Sequence, residues 1–371
     1  MTWVRTREAL EDLARSLDGC RAIGLDTESD SLYHHRDKVC LVQIATDRGE
    51  AYLVDSLAVD LQPLGPAMAR PELVKVLHGA DYDVTTLKRD FGFRFESLFD
   101  TMLAARLLGR NELGLVAVAR DELGVTLTKT NQKDDWSRRP LTPQQEAYAL
   151  ADVTHLVALR ERLVPRLEAV SRLSWLREEC DAVAALEPLT RRRDADAYLA
   201  VKGARRLAPR PLAALRELYA WREARAEETD LPAFRLLGNE ALLKLSELLP
   251  ASATELRAVP GVLPRLAGQA EAILGAIRRA REAPEAELPK LPRVVRPVVS
   301  EAAQKRIETL KAWRTRKGQE LALDPSVLLP QRLIERIADQ APRELAALGA
   351  IEGLRRWRVE AFGHELVAAL S

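Results

Sequence analysis

Residues 22–28 read AIGLDTE, a short apolar run that ends in two carboxylates. Two further runs, residues 40–44 (CLVQI) and 51–54 (AYLV), follow after polar, turn-prone stretches. Short apolar runs separated in this way are typical of β-strands. The three runs therefore predict consecutive strands of a β-meander, and the first of them carries Asp26 and Glu28 at its end.

Helices are predicted on both sides of further short strands. Residues 74–78 (VKVLH) predict a strand, and the helical spacing of Val84 and Leu87 predicts a helix after Gly79. Residues 97–108 predict a short strand or turn and then a helix. Strands before and between helices favour an α/β or α+β domain of about 170 residues.

A strong helix start lies at residues 142–145. Thr142 is the predicted N-cap, Pro143 is the first helical residue and Gln145 completes a capping box. The apolar spacing predicts that this helix continues through Val157.

The second half contains no convincing strand, and it repeats itself. Residues 215–222 (LRELYAWR) resemble residues 307–314 (IETLKAWR), 92 positions later. Two copies of one small helical unit are the simplest interpretation. Four prolines between residues 284 and 297 predict a stiff linker between the copies.

Composition excludes several classes of protein. Of the 371 residues, 47% are hydrophobic, which excludes an intrinsically disordered chain. No apolar run reaches the roughly 18 residues of a membrane span, and the N-terminus lacks the apolar core of a signal peptide, so we expect a cytoplasmic protein. Three cysteines without a CxxC motif argue against a disulfide framework, and the absence of HExxH argues against a zinc hydrolase.

The net charge of +1 conceals an asymmetry. Residues 1–200 carry 27 Lys and Arg against 33 Asp and Glu, a net charge of −6. Residues 201–371 carry 29 against 22, a net charge of +7. The pattern suggests an acidic site beside a surface for a polyanion, although two ordinary solvated surfaces explain it as well.

Carboxylates recur in three places. Side chains alternate along a strand, so Asp26 and Glu28 share a face, where a divalent cation would relieve their repulsion. A solvated strand end is the alternative. Residues 78–83 (HGADYD) offer two more acids, one of which can cap a helix. Tyr148 and Asp152 lie one helical turn apart, although a tyrosine at that spacing is often part of a core.

Taken in order, the three segments resemble the exonuclease motifs of the DEDD superfamily, and the tyrosine indicates its DEDDy branch. Residues 131–141 (NQKDDWSRRPL) closely resemble the segment before the third motif in the ribonuclease D family. Residues 236–240 (LLGNE) and 256–261 (LRAVPG) resemble the HRDC domain, whereas the second copy is more divergent.

This resemblance implies an α/β, ribonuclease H-like exonuclease domain with a mixed central sheet, followed by two all-α HRDC-like domains. It divides the chain into an exonuclease domain (1–170), a helical linker (171–208), a first HRDC domain (209–283), a proline-rich linker (284–300) and a second HRDC-like domain (301–371).

The implied activity is 3′-to-5′ exoribonuclease cleavage that releases 5′-mononucleotides from structured RNA, including tRNA precursors with a free 3′ end. The resemblance implies two divalent metal ions, Mg²⁺ or Mn²⁺, bound by Asp26, Glu28, Asp83 and Asp152. It selects Asp83 over Asp81 and makes Tyr148 the residue that positions the attacking water.

Basic and aromatic residues outside the motifs are candidates for RNA contacts. They are Lys133, Trp136, Arg138, Arg139, Arg205, Arg206, Arg210, Arg314, Arg316 and Lys317. Trp136 is equally well interpreted as the anchor of its loop. Two other functions use the same features: a DEDDy exonuclease that acts on DNA, and a non-catalytic HRDC adaptor that only binds nucleic acid.

Overall fold

The computed structural model describes residues 1–128, 130–188, 195–262, 264–291 and 300–370. Contacts between Cα atoms divide the chain into two compact units. The first unit contains residues 1–29, 39–189 and 297–371, and the second contains residues 30–38 and 190–296.

A six-stranded mixed sheet forms the centre of the first unit. Its strands are β1 (Thr2–Val4), β2 (Ala22–Ser29), β3 (Val39–Thr46), β4 (Ala51–Val54), β5 (Val74–Leu77) and β6 (Leu98–Asp100), in the order β1-β4-β3-β2-β5-β6. β2, β3 and β4 pair antiparallel, which confirms the predicted meander, while β5 and β6 add in parallel. β1 was not predicted, because three residues at a sheet edge give no periodic signal.

Eight helices accompany this sheet in the described part of residues 1–188. They are α1 (Arg7–Ser16), α2 (Gly65–Met68), α3 (Asp81–Phe91), α4 (Thr101–Leu107), α5 (Leu115–Leu123), α6 (Pro143–Thr154), α7 (Leu156–Ala169) and α8 (Leu173–Ala184). The predicted capping box at Thr142 is present, with both of its hydrogen bonds. The helix ends at Thr154, however, because the chain turns at His155 before α7 begins.

The second unit is helical. Its helices are α9 (Pro209–Thr229), α10 (Ala233–Leu236), α11 (Asn239–Leu248), α12 (Ala253–Ala258) and α13 (Ala270–Glu282). Leu215, Leu242 and Ile273 are buried in the core of this bundle. Residues 30–38 belong to the same unit, since the His34 Nδ1 atom lies 2.7 Å from Asp230 Oδ2 and Arg36 pairs with Glu227.

The second copy of the repeat lies in the first unit. Its helices are α14 (Glu301–Leu321), α15 (Pro325–Leu328), α16 (Gln331–Gln340), α17 (Leu345–Gly349) and α18 (Arg356–Ala368). Their lengths follow those of α9–α13 almost helix for helix, as expected of a repeat. None of the helices within the described ranges is long and apolar enough to cross a membrane.

Contacts with α8 bind these last helices to the exonuclease part of the first unit. The rings of Trp175 and Trp357 stack with centroids 4.3 Å apart and an interplanar angle of 17°. Glu179 accepts hydrogen bonds from Trp357 Nε1 at 3.0 Å and from Arg358 at 2.7 Å. The buried charge of Arg358 is paired directly with Glu179, as a buried ion requires. These contacts hold α18 against α8.

Candidate active site

Three acids from two elements meet beside β2. Asp26 and Glu28 lie on the same face of the strand, as alternation predicts, and Asp152 on α6 joins them. One carboxylate oxygen from each lies within 4.8 Å of the other two. Such a group of oxygens matches the ligands that hard divalent cations prefer, so the group could hold a metal ion.

Gly24 allows α6 to approach β2 closely enough to bring these acids together. A Cβ atom at this position would stand 2.6 Å from the carbonyl oxygen of Val153 and 3.2 Å from Leu156 Cβ. Val153 directly follows Asp152 in the chain, so the absence of a side chain on Gly24 sets the position of that carboxylate. Nothing in the sequence around Gly24 indicates this role, because the contact joins residues distant in sequence.

We expect Gly24→Ala to lower kcat about 100-fold, because a displacement of about 1 Å at a catalytic group has an effect of that size. The added methyl group must push the junction of α6 and α7 away from β2. The measurement is single-turnover cleavage of a short oligoribonucleotide, with melting temperature recorded in parallel. Gly65→Ala is the control, since its new Cβ would meet only Phe93 at 3.8 Å. Full activity of Gly24→Ala would show that the junction yields without moving Asp152.

Asp83 is buried in the first turn of α3, whereas Asp81 in the same turn is exposed. The Thr27 hydroxyl donates to Asp83 Oδ1 at 2.5 Å, and the Thr27 backbone N–H also bonds this carboxylate. Thr27 lies between Asp26 and Glu28, so it joins the second acidic segment to the first. Asp83 is not among the three acids grouped within 4.8 Å, although its charge acts on Asp26.

Asp100 fixes the turn from which α3 begins. It caps α4 by accepting from the backbone N–H groups of Met102 and Leu103. The same carboxylate accepts from the N–H of Gly79 at 3.0 Å and of Ala80 at 2.9 Å. The hydrogen bonds from Gly79 and Ala80 hold the start of α3, and therefore position Asp83. Local sequence patterns do not indicate these bonds, because Asp100 lies 20 residues from Ala80.

Tyr148 lies against the acids with little exposure. Its hydroxyl hydrogen-bonds Asp152, one turn along α6, and its ring lies 6.0 Å from that of Trp136. Burial, together with the neighbouring negative charges of Asp152 and Glu28, raises the pKa of the phenol. The hydroxyl therefore stays protonated at neutral pH and acts as a hydrogen-bond donor.

Burial and mutual repulsion raise the pKa values of the acids. The pKa of Glu28 rises to about 9 through burial and then through the charges of Asp152 and Asp83. Burial raises the pKa of Asp83 to about 7, against the opposing effect of the Thr27 hydrogen bond. The pKa of Asp26 is also raised, first by burial and then by Asp83, Glu28 and Asp152. A cation would relieve this conflict, so the residues fit a metal site.

The segment at residues 131–141 contains both buried anchors and exposed cations. Trp136 is only 1% exposed, which favours an anchor over a base-stacking surface. Arg139 makes two hydrogen bonds to Asp55, at 2.7 and 2.8 Å, and donates to the Cys40 carbonyl, so its guanidinium is already engaged. Arg138 is exposed and pairs with Asp135 at 3.1 Å, and Lys133 is exposed as well.

Internal partners also occupy half of the basic candidates in the second half of the chain. Arg210 donates to the carbonyls that end α13, and Arg314 donates to the Leu329 carbonyl. Lys317 pairs with Glu320 at 2.9 Å and with Glu365 at 3.1 Å. These contacts favour Arg205, Arg206 and Arg316 as candidates for RNA contacts, since sequence does not distinguish capping charges from free ones. Arg205, Arg206 and Arg316 are exposed.

Comparison with known proteins assigns this arrangement to a family. Residues 1–168 match the family model for 3′–5′ exonuclease domains, and residues 212–277 and 303–370 match the model for HRDC domains. Ribonuclease D of Pseudomonas paraeruginosa is 33% identical over 99% of this chain and 97% of its own length. The chain belongs to the ribonuclease D family. It is therefore a 3′–5′ exoribonuclease, and neither a DNA-specific enzyme nor a non-catalytic adaptor is favoured.

Two solved structures agree with this fold. The crystal structure of Escherichia coli RNase D, an exoribonuclease involved in structured RNA processing, covers 100% of this chain and 98% of its own, with 26% identity and a TM-score of 0.73. The catalytic core of RRP6 from Trypanosoma brucei covers 75% of this chain and 79% of its own, with 29% identity and a TM-score of 0.68. The predicted mixed-sheet exonuclease domain followed by HRDC helices is thus confirmed.

Proposed function

We propose that the ribonuclease D-like chain hydrolyses RNA from its 3′ end, one 5′-mononucleotide at a time, at the acids beside β2. Asp26, Glu28 and Asp152 would hold two divalent ions, Mg²⁺ or Mn²⁺, together with Asp83. The observation that carries this proposal is the cluster of three carboxylates whose oxygens lie within 4.8 Å of one another. Bound ions would supply a nucleophilic water at neutral pH and stabilise charge on the phosphate and the leaving 3′ oxygen.

The residues around the proposed metal site have distinct roles. Thr27 holds Asp83 through its hydroxyl, and Gly24 lets Asp152 approach β2. Tyr148 keeps its proton and donates a hydrogen bond, so it would orient the attacking water rather than deprotonate it. The four carboxylates would oppose the four positive charges of the two ions, which leaves phosphate oxygens to complete the coordination.

We further propose that the substrates are structured RNAs with a free 3′ end, tRNA precursors among them, in the cytoplasm. The E. coli relative, with 26% identity over the whole chain, acts in structured RNA processing. The test is digestion of a 3′-extended tRNA and a matched single-stranded DNA with Mg²⁺, with Mn²⁺ and with EDTA. We expect metal-dependent shortening of the RNA from its 3′ end. Cleavage in EDTA would refute the metal mechanism, and faster cleavage of DNA than of RNA would refute the proposal that RNA is the substrate.

The metal-free protein is expected to lose stability as pH rises from 5 to 8. The pKa of Glu28 is about 9 in the folded protein, against an ordinary glutamate value of 4.5 in the unfolded chain. Across this window the folded protein holds a proton that the unfolded chain has released, so its free energy of unfolding falls with pH. One proton accounts for about 1.4 kcal/mol per pH unit.

Urea unfolding in EDTA at several pH values measures this slope. Glu28→Gln should flatten it by up to about 1.4 kcal/mol per pH unit. Glu8→Gln, an exposed acid on α1, is the control and should leave it unchanged. Equal slopes for wild type and Glu28→Gln would show that Glu28 ionises normally in the folded protein.

The basic second half is proposed to bind the RNA backbone through exposed cations, Arg205 and Arg206 among them. Each phosphate contact on a duplex contributes about −0.9 to the slope of log affinity against log salt. Arg205→Ala/Arg206→Ala should therefore raise KM for a tRNA-like substrate and reduce the slope by up to about 1.8. Arg7→Ala/Arg15→Ala removes the same charge from the acidic half and should have a smaller effect. If both double variants have equal effects, the cations attract RNA only through the overall charge of the protein, and Arg205 and Arg206 form no specific binding site.

A further inference from the structure

Gln43 on β3 is a buried amide that the proposed mechanism does not use. Its side chain is 0% exposed, and neither Oε1 nor Nε2 has a hydrogen-bond partner among the residues that the structure describes. Buried amide groups are nearly always hydrogen-bonded in folded proteins, because leaving them unpaired is costly. An amide with both ends unpaired therefore points to a hydrogen bond that forms in another state of the site.

The sheet register shows which neighbour can accept this hydrogen bond. Gln43 is directly opposite Asp26 on β2 and opposite Leu53 on β4. Directly opposed residues of antiparallel strands share a face, with Cβ atoms about 4.5–5.5 Å apart. Along β3 itself, the neighbours on this face are Leu41 and Ala45. Of these four neighbours only Asp26 carries a polar side chain.

We propose that Gln43 is a positioning residue for Asp26, and that its Nε2–H donates to the Asp26 carboxylate when the site holds its divalent cation. Asp26 would then present one oxygen to the cation while the other accepts from the amide. Hydrogen bonds of this kind orient ligating carboxylates and strengthen metal binding. The inference rests on the proposed function, because it requires Asp26 to be a metal ligand.

The test compares Mn²⁺ binding by wild type and Gln43→Met in the full-length protein, measured by calorimetry or electron paramagnetic resonance. Methionine keeps the length and flexibility of glutamine but removes the amide. We expect the Mn²⁺ dissociation constant to rise about 10–100-fold. The melting temperature in EDTA should stay equal or rise, since an unpaired buried amide has been removed, and KM for RNA should not change. A lower melting temperature with unchanged Mn²⁺ affinity would make Gln43 a packing residue and overturn the proposal.

Two further variants keep the test decisive. Leu53→Met makes a similar change in shape on the other side of Gln43 and should bind Mn²⁺ normally; an equal loss there would mean that repacking, not the amide, weakens the site. If Gln43→Met fails to fold, Gln43→Asn decides, because its shorter amide should also weaken Mn²⁺ binding, and wild-type affinity would reject the proposal. Asp26→Asn distinguishes failure of the Gln43 inference from failure of the proposed metal site. If Asp26→Asn binds Mn²⁺ as wild type does, the proposed metal site is wrong, whatever Gln43 does.

Discussion

Replacing any one of the four acids with its amide is expected to lower kcat by about 10³-fold or more. The variants are Asp26→Asn, Glu28→Gln, Asp83→Asn and Asp152→Asn. A bound cation contributes several kcal/mol of charge stabilisation in reactions of this type. Since 1.4 kcal/mol corresponds to a factor of ten, losing a ligand has an effect of at least this size. The measurement is single-turnover cleavage of a short oligoribonucleotide in saturating Mg²⁺.

The same variants should fold at least as well as wild type without metal. Each amide replaces a buried carboxyl that must either carry a charge beside the other acids or hold a proton, so the melting temperature in EDTA should stay equal or rise. Asp81→Asn is the matched control, because Asp81 is exposed in the same turn of α3 as Asp83. It should retain most activity. An essential Asp81 with a dispensable Asp83 would overturn the assignment of the second acidic segment.

Local patterns in the sequence predicted the elements that carry the site. Apolar runs identified the strands of the meander, and side-chain alternation along β2 placed Asp26 and Glu28 on one face. The capping box fixed the first turn of α6, because all its hydrogen bonds join residues three apart. Each of these features is decided by neighbours in the chain, and such features can be recognised without a structure.

Contacts between distant residues could not be predicted in this way. The hydrogen bond from Thr27 to Asp83 spans 56 positions, and nothing in the sequence around either residue indicates the other. The same is true of Trp136, whose burial depends on the packing of α6 against β3 and β4. Sequence patterns alone therefore identified the acids but not the residues that orient them.

The last helices of the chain show the same limitation at a larger scale. Composition suggested one basic half separate from the acidic half, whereas contacts place residues 300–370 in the first unit. Trp175 and Glu179 on α8 pack against Trp357 and Arg358. Truncation near residue 205 would expose Trp175 and Glu179, so substitution of exposed cations tests RNA binding more cleanly than truncation.

Tyr148→Phe is expected to lower kcat about 10²–10⁴-fold, the usual effect of losing a group that takes part in proton transfer or its positioning. The hydroxyl is the only group lost, and the ring keeps its packing beside Trp136. Because the phenol stays protonated, it would donate a hydrogen bond to the attacking water or to Asp152. Neither of these hydrogen bonds contacts the RNA backbone. We therefore expect KM for RNA to stay near its wild-type value.

The pH profile distinguishes positioning from general base catalysis by Tyr148. A base would have to lose its proton, and burial beside Asp152 raises the pKa of the phenol, so the rate would climb steeply at alkaline pH. A positioning donor instead gives Tyr148→Phe a profile parallel to that of wild type at a lower level. Tyr198→Phe, a buried tyrosine in the second unit, is the control and should turn over normally. Normal turnover by Tyr148→Phe as well would reduce Tyr148 to a packing residue, and the acids alone would then have to orient the water.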